Sequence, residues 1–189
     1  KDTLYFESSP EYVYYPEALK RIKKLNGKMK LIICLRNPID LIFSDYNQEK
    51  NMGLETESLE KALLKENYKL ELHENRLKNN IYSAYNRPLF LPYLYIAEYV
   101  TYIKKALDIF DMENFFFIDS RELKNNTQKT MDDVFEFLGL ESHKIEISLH
   151  NKSEYSEKMP LEIREKLSKH FEPYNKELEK LLNKKFNWT

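Results

Sequence analysis

The chain has 189 residues, enough for one domain that buries its own core. Charged residues make up 32% and hydrophobic ones 42%, while 30 Lys+Arg against 31 Asp+Glu leave a formal charge of -1. That balance excludes a global basic field of the kind nucleic acid selects, so any anion site has to be local.

The first residue is Lys1 rather than methionine, which leaves room for a segment ahead of it; KDTLYFESS lacks the makeup of a secretory signal. TLYF (3–6) reads as a short strand, and SSPEY turns away from it. Residues 16–26, PEALKRIKKLN, read as a helix with Pro16 at its first position and Gly27 beyond its end. KLIICL (30–35) is a continuous apolar run, as expected of a strand covered on both faces in a parallel sheet. The lone cysteine, Cys34, sits inside that run and is expected as a core thiol, which fits a reducing compartment; the expected location is cytoplasmic, or luminal in the Golgi if an N-terminal anchor has been removed.

Asn37 is a natural N-cap and Pro38 a natural first residue for the next helix. Ile39, Ile42, Phe43 and Tyr46 follow the i, i+3, i+4, i+7 spacing of a core face. Residues 58–79 read as a charge-rich helix, and 89–110, with Pro88 and Pro92 near its start, as an aromatic-rich helix on the sheet. NFFFID (114–119) is a second strand. Met131, Val134, Phe135 and Leu138 mark a helix closed by Gly139. The stretch 141–159 lacks periodicity and reads as a loop; Pro160 opens a helix reaching Phe171, and Leu178, Leu181 and Leu182 suggest a last one. This order predicts an α/β domain, a parallel sheet flanked by helices, spanning 1–189. No apolar run approaches the ~20 residues needed to span a bilayer. The three glycines, Gly27, Gly53 and Gly139, are too far apart for a GxxxxGK(S/T) phosphate loop. The four histidines show no metal spacing and read as surface or loop residues.

In an open α/β sheet ligands bind where strands end and helices begin, and Arg36 holds that position. The first turn of the following helix offers N–H groups and a positive dipole end, and the guanidinium adds a planar fork suited to phosphate. Asp40, Ser44 and Gln48, at i, i+4 and i+8, share a polar stripe opposite the apolar one. Ser44 can add a hydroxyl to an anion held by Arg36, with the Gln48 amide one turn further. The same residues admit a plainer reading in which Arg36 pairs with Asp40 or Asp45 and Ser44 is solvated.

LIICLRNPIDLIFSDYNQ resembles the 3′-phosphate-binding segment of sulfotransferases that use 3′-phosphoadenosine-5′-phosphosulfate (PAPS). That segment is an apolar strand, then Leu-Arg-(Asn or Asp)-Pro, then a serine eight residues after the arginine. The resemblance is to the heparan sulfate 3-O-sulfotransferase type and its bacterial relatives. It extends through FESSPEYVYYPEALKRIKKLNGKMK, NFFFIDSREL with TMDDVFEFLGL, and PLEIREKLSKHFEPYNKELEKLLNKKFNW. It implies a P-loop nucleotide-kinase-like sulfotransferase fold of which this chain is the C-terminal two-thirds, the strand-loop-helix carrying the phosphate loop and the general base lying upstream of Lys1. It implies that Arg36 and Ser44 hold the 3′-phosphate of PAPS or of the product, adenosine 3′,5′-bisphosphate (PAP), and that Gln48 meets the acceptor. The family closes a late loop with basic residues over the cosubstrate; the corresponding loop here, HNKSEYSEKMP, lacks the KGR run of the animal enzymes and offers Lys152 and Lys158 for that role. The implied reaction is sulfuryl transfer to a hydroxyl or amine of an acceptor, a saccharide by family type, with no metal, no nucleic acid and no membrane span. A non-catalytic PAP- or glycan-binding relative is the alternative. The family's EKTP lysine has no counterpart at Ser8, so Glu7 is expected to be structural. Tyr12, Tyr14, Tyr15, Tyr93 and Tyr95 could stack on sugar rings or serve as core. One strand short, the sheet is expected to leave an edge and an apolar face open.

Overall fold

The computed structural model describes residues 4–9, 11–79, 91–146 and 158–188, the side chains of 76 and 77 excepted. Two parallel strands, β1 (Leu31–Leu35) and β2 (Phe115–Asp119), pair in register from Leu31 opposite Phe115 to Leu35 opposite Asp119. Parallel pairing demands a crossover, and the chain between the strands supplies one as helices. These are α2 (Pro38–Asn51), α3 (Leu59–Leu64), α4 (Glu66–Lys78), α5 (Tyr93–Ala97) and α6 (Tyr99–Leu107). α1 (Pro16–Leu25) precedes β1; α7 (Ser120–Asn125), α8 (Thr127–Leu138) and α9 (Leu161–Leu182) follow β2. The architecture is α/β, a parallel sheet flanked by helices.

Local signals set the helix ends. The Asn37 side chain accepts from the Ile39 N–H at 2.9 Å, and Pro38 opens α2; such a cap contributes about 1 kcal/mol. Gly139 closes α8 at φ 74°, a left-handed conformation in which a Cβ is strained. Leu4, Tyr5 and Phe6, expected in a strand, are unpaired and 55%, 88% and 92% exposed. β1 was expected to be covered on both faces but alternates instead: Leu31 and Ile33 pack toward Leu19, Ala106, Phe110 and Phe115, while Ile32 is 43% exposed and Cys34 is exposed. Cys34 is therefore not a core thiol. An apolar run reports compatibility with burial; whether a layer covers each face depends on neighbours elsewhere in the chain.

Four further expectations change. Residues 58–79 form two helices, with Ser58 capping α3 and a break at Lys65. The described part of the 89–110 segment breaks at Glu98, where the Ile96 carbonyl accepts from the Tyr102 hydroxyl at 3.1 Å. The two C-terminal helices are one, α9, running through Pro173. Proline in a helix interior costs about 3 kcal/mol, but Leu167, Phe171 and Leu178 all bury along this helix, on both sides of Pro173. Each such burial returns about 1.5–3 kcal/mol. Among the histidines, His73 is buried on α4, its ring 5.1 Å from that of Tyr95, and His170 is half-buried, bonded to Glu98 at 3.0 Å. α7 had no periodic signal in its six residues.

The core under α2 joins Ile39, Ile42 and Tyr46 to Leu59, Ala62, Tyr93, Met159, Leu167 and Phe171. A second cluster around Leu35 contains Tyr99, Val100, Tyr102, Ile103, Leu178 and Phe186. Both clusters bear on the β1–α2 junction, so the strand end and the helix start are held from two sides.

Candidate anion-binding site

Arg36 follows the buried Leu35, where the peptide leaves the strand ladder and its polar groups need new partners. The Tyr99 hydroxyl supplies both: it accepts from the Arg36 N–H at 3.2 Å and donates to the Arg36 carbonyl at 2.9 Å. Burial pushes the Tyr99 pKa up, so this hydroxyl keeps its proton and can play both parts. Tyr99 anchors the Arg36 backbone, and sequence reasoning missed it: the two residues lie 63 apart, and one more tyrosine in an aromatic-rich helix carries no separate signal.

Among the described residues the Arg36 guanidinium makes no ion pair. Asp40 is engaged elsewhere: Arg164 Nη2 donates to its Oδ1 at 2.8 Å. Asp45, the other carboxylate considered, has its pKa raised by burial and lowered in part by Lys69. The plainer reading of Arg36 as a structural ion-pair partner therefore loses its two candidate carboxylates.

Asp40, Ser44 and Gln48 occupy successive turns of α2. Ser44 is half-buried and Gln48 exposed. The helix start offers an anion less than the bare dipole argument implies: Pro38 has no N–H, and the Ile39 N–H is already taken by Asn37. Side chains, Arg36 first, have to carry most of any anion contact. Lys158 is exposed just before α9, its neighbour Met159 buried in the core under α2. Lys152 lies outside the described residues, as does much of the loop assigned to it.

On the side of α2 that faces α5, a buried polar network fixes the helix. The Tyr93 hydroxyl donates to Glu49 Oε2, and Lys69 lies 4.3 Å over the Tyr93 ring and 3.6 Å from Glu55. Glu66 Oε2 accepts from the Leu94 N–H at 2.8 Å at the start of α5. Burial lifts Glu49 to a pKa of about 7, the Tyr93 hydrogen bond opposing the shift. The tyrosines divide accordingly. Tyr93 is fully buried, Tyr14 and Tyr95 pack with Tyr102, and the Tyr12 hydroxyl bonds Glu7 at 2.7 Å. Tyr93 is core, and Glu7 has a structural partner. Among the described residues no three His, Cys, Asp or Glu side chains gather as a metal site would require, and no helix is long and apolar enough to cross a membrane.

This geometry can be set beside known proteins. The sulfotransferase domain family matches residues 12–184. The bifunctional heparan sulfate N-deacetylase/N-sulfotransferase 4 of Mus musculus is 26% identical over 138 residues, which are 73% of this chain and 15% of the mouse protein. The crystal structure of a sulfotransferase from Alicyclobacillus acidocaldarius superposes with a TM-score of 0.72 at 27% identity. The match covers 93% of this chain and 63% of that one. The chain thus spans less than two thirds of either relative. With a family match running from before α1 to beyond α9, the chain belongs to the sulfotransferase family.

Proposed function

We propose that this chain forms the 3′-phosphate-binding and acceptor-facing part of a PAPS-dependent sulfotransferase, which moves a sulfuryl group to a hydroxyl or amine of a saccharide acceptor and releases PAP. The observation that carries this reading is Arg36: a guanidinium at a strand end, its backbone bonded at both polar groups by Tyr99, free of ion pairs among the described residues. It stands in a family match that covers the whole site.

PAPS supplies the activated sulfuryl group; the residues of this chain bind and orient. Arg36 is suited to donate bidentately to a phosphate, and Ser44 adds a neutral donor. A nucleotide lacking the 3′-phosphate leaves both without a ligand, so this pair discriminates PAP from 5′-AMP. Gln48, exposed beyond Ser44, presents an amide that can both donate and accept toward a sugar. Lys158, exposed just ahead of α9, is proposed as a further cation for the cosubstrate. In-line transfer also requires removal of the acceptor proton and neutralisation of the departing phosphate. Neither task is assigned to Arg36, Ser44, Gln48 or Lys158, which bind and orient. The glycan assignment draws on the mouse relative's name, and the cytoplasm is proposed as the compartment.

Calorimetric titration with PAP and 5′-AMP tests the reading. PAP should bind at least tenfold more tightly, and Arg36→Ala should erase the difference, since a charge-assisted hydrogen bond contributes about 1.5–3 kcal/mol. Equal affinity for the two nucleotides in the unaltered protein would sink the proposal.

A further inference from the structure

Asp40 poses an electrostatic problem for a phosphate site. It stands in the first turn of α2, four residues after Arg36 and one helical turn, about 5–6 Å, before Ser44 on the same stripe. At that distance a bare carboxylate repels a dianion held by Arg36 and Ser44, and the distance is within the screening length of about 10 Å at 0.1 M salt. The fold answers with Arg164, from the first turns of α9 and 124 residues away in sequence, whose guanidinium takes Asp40 Oδ1 at 2.8 Å. The two side chains are 39% and 37% exposed, so neither needs a counter-charge to be tolerated where it is. Exposed pairs of this kind contribute little to stability. The α2–α9 contact is already secured below them by Ile39, Ile42, Leu167 and Phe171.

We propose that Arg164 is a positioning residue for phosphate binding: it cancels and holds the Asp40 carboxylate so that the anion site formed by Arg36 and Ser44 keeps its positive field. Arg164 acts through Asp40 and makes no contact with the ligand. This inference rests on the reading of Arg36 and Ser44 as the 3′-phosphate site.

The test is PAP affinity at low salt across four proteins: unaltered, Arg164→Ala, Asp40→Asn, and the double variant. Arg164→Ala should weaken PAP binding about five- to tenfold while leaving 5′-AMP affinity unchanged. Asp40→Asn should bind PAP as tightly as the unaltered protein or tighter, because the Arg164 charge is released. The double variant should return to within about twofold of the unaltered affinity, and 0.5 M salt should shrink all the differences. A double variant as weak as Arg164→Ala would show that Arg164 touches the ligand or merely braces α9, and either overturns the inference. Unchanged PAP binding in Arg164→Ala overturns it too. Failure of the underlying site reading is seen separately, as an unaltered protein that does not prefer PAP to 5′-AMP.

Discussion

Replacing Glu49 by glutamine probes how the far end of α2 is held. Glu49 is 9% exposed and accepts from the fully buried Tyr93 hydroxyl. Burial raises its pKa from the ordinary 4.5 to about 7. A carboxyl with a raised folded-state pKa keeps its proton better folded than unfolded, so it weakens the fold as pH climbs from about 4.5 through about 7. One pKa unit corresponds to about 1.4 kcal/mol, which puts the loss near 3 kcal/mol above neutrality. Glutamine has nearly the same shape, stays neutral and still offers Tyr93 an acceptor oxygen. Glu49→Gln should therefore be roughly 2–3 kcal/mol more stable than the unaltered protein at pH 8 and nearly equal to it at pH 5. Urea unfolding at the two pH values reads this directly. The comparison has to be between the two proteins, because burial raises Asp45 and Glu66 as well and gives both a slope of the same sign. A stability difference independent of pH, or an unaltered protein that gains on Glu49→Gln at pH 8, would refute the reasoning.

Two other substitutions test the supports of the site. Tyr99→Phe deletes the hydroxyl that serves both backbone groups of Arg36, and it should cost about 1–3 kcal/mol in urea unfolding together with several-fold weaker PAP binding; a change in neither would remove Tyr99 from the account. Phe171→Ala opens a cavity where α9 meets α2, at a residue 1% exposed, and should cost about 3–5 kcal/mol. A loss below about 1 kcal/mol would mean that α9 is not the brace described.

The sequence by itself determined the parts whose causes are local. Asn37-Pro38 caps and opens α2 because the side-chain acceptor and the fixed φ act within one turn. Gly139 ends α8 because its left-handed conformation needs no Cβ. The apolar runs at 31–35 and 115–119 became strands, and the polar stripe Asp40, Ser44, Gln48 followed from helical spacing alone. Tertiary structure decided everything that depends on a partner. Whether Arg36 would be neutralised by Asp40 could not be read from two residues four apart, because the competitor, Arg164, arrives from α9. Tyr99 beneath Arg36 and Tyr93 beside Glu49 are likewise pairings across 63 and 44 residues. Cys34 looked like core because a run of apolar residues records only that burial is tolerable, whereas exposure depends on which layer reaches that face. α9 ran through Pro173 for the same reason: propensity is a cost of a few kcal/mol at one residue, and a buried stripe on both sides of it outweighs that cost.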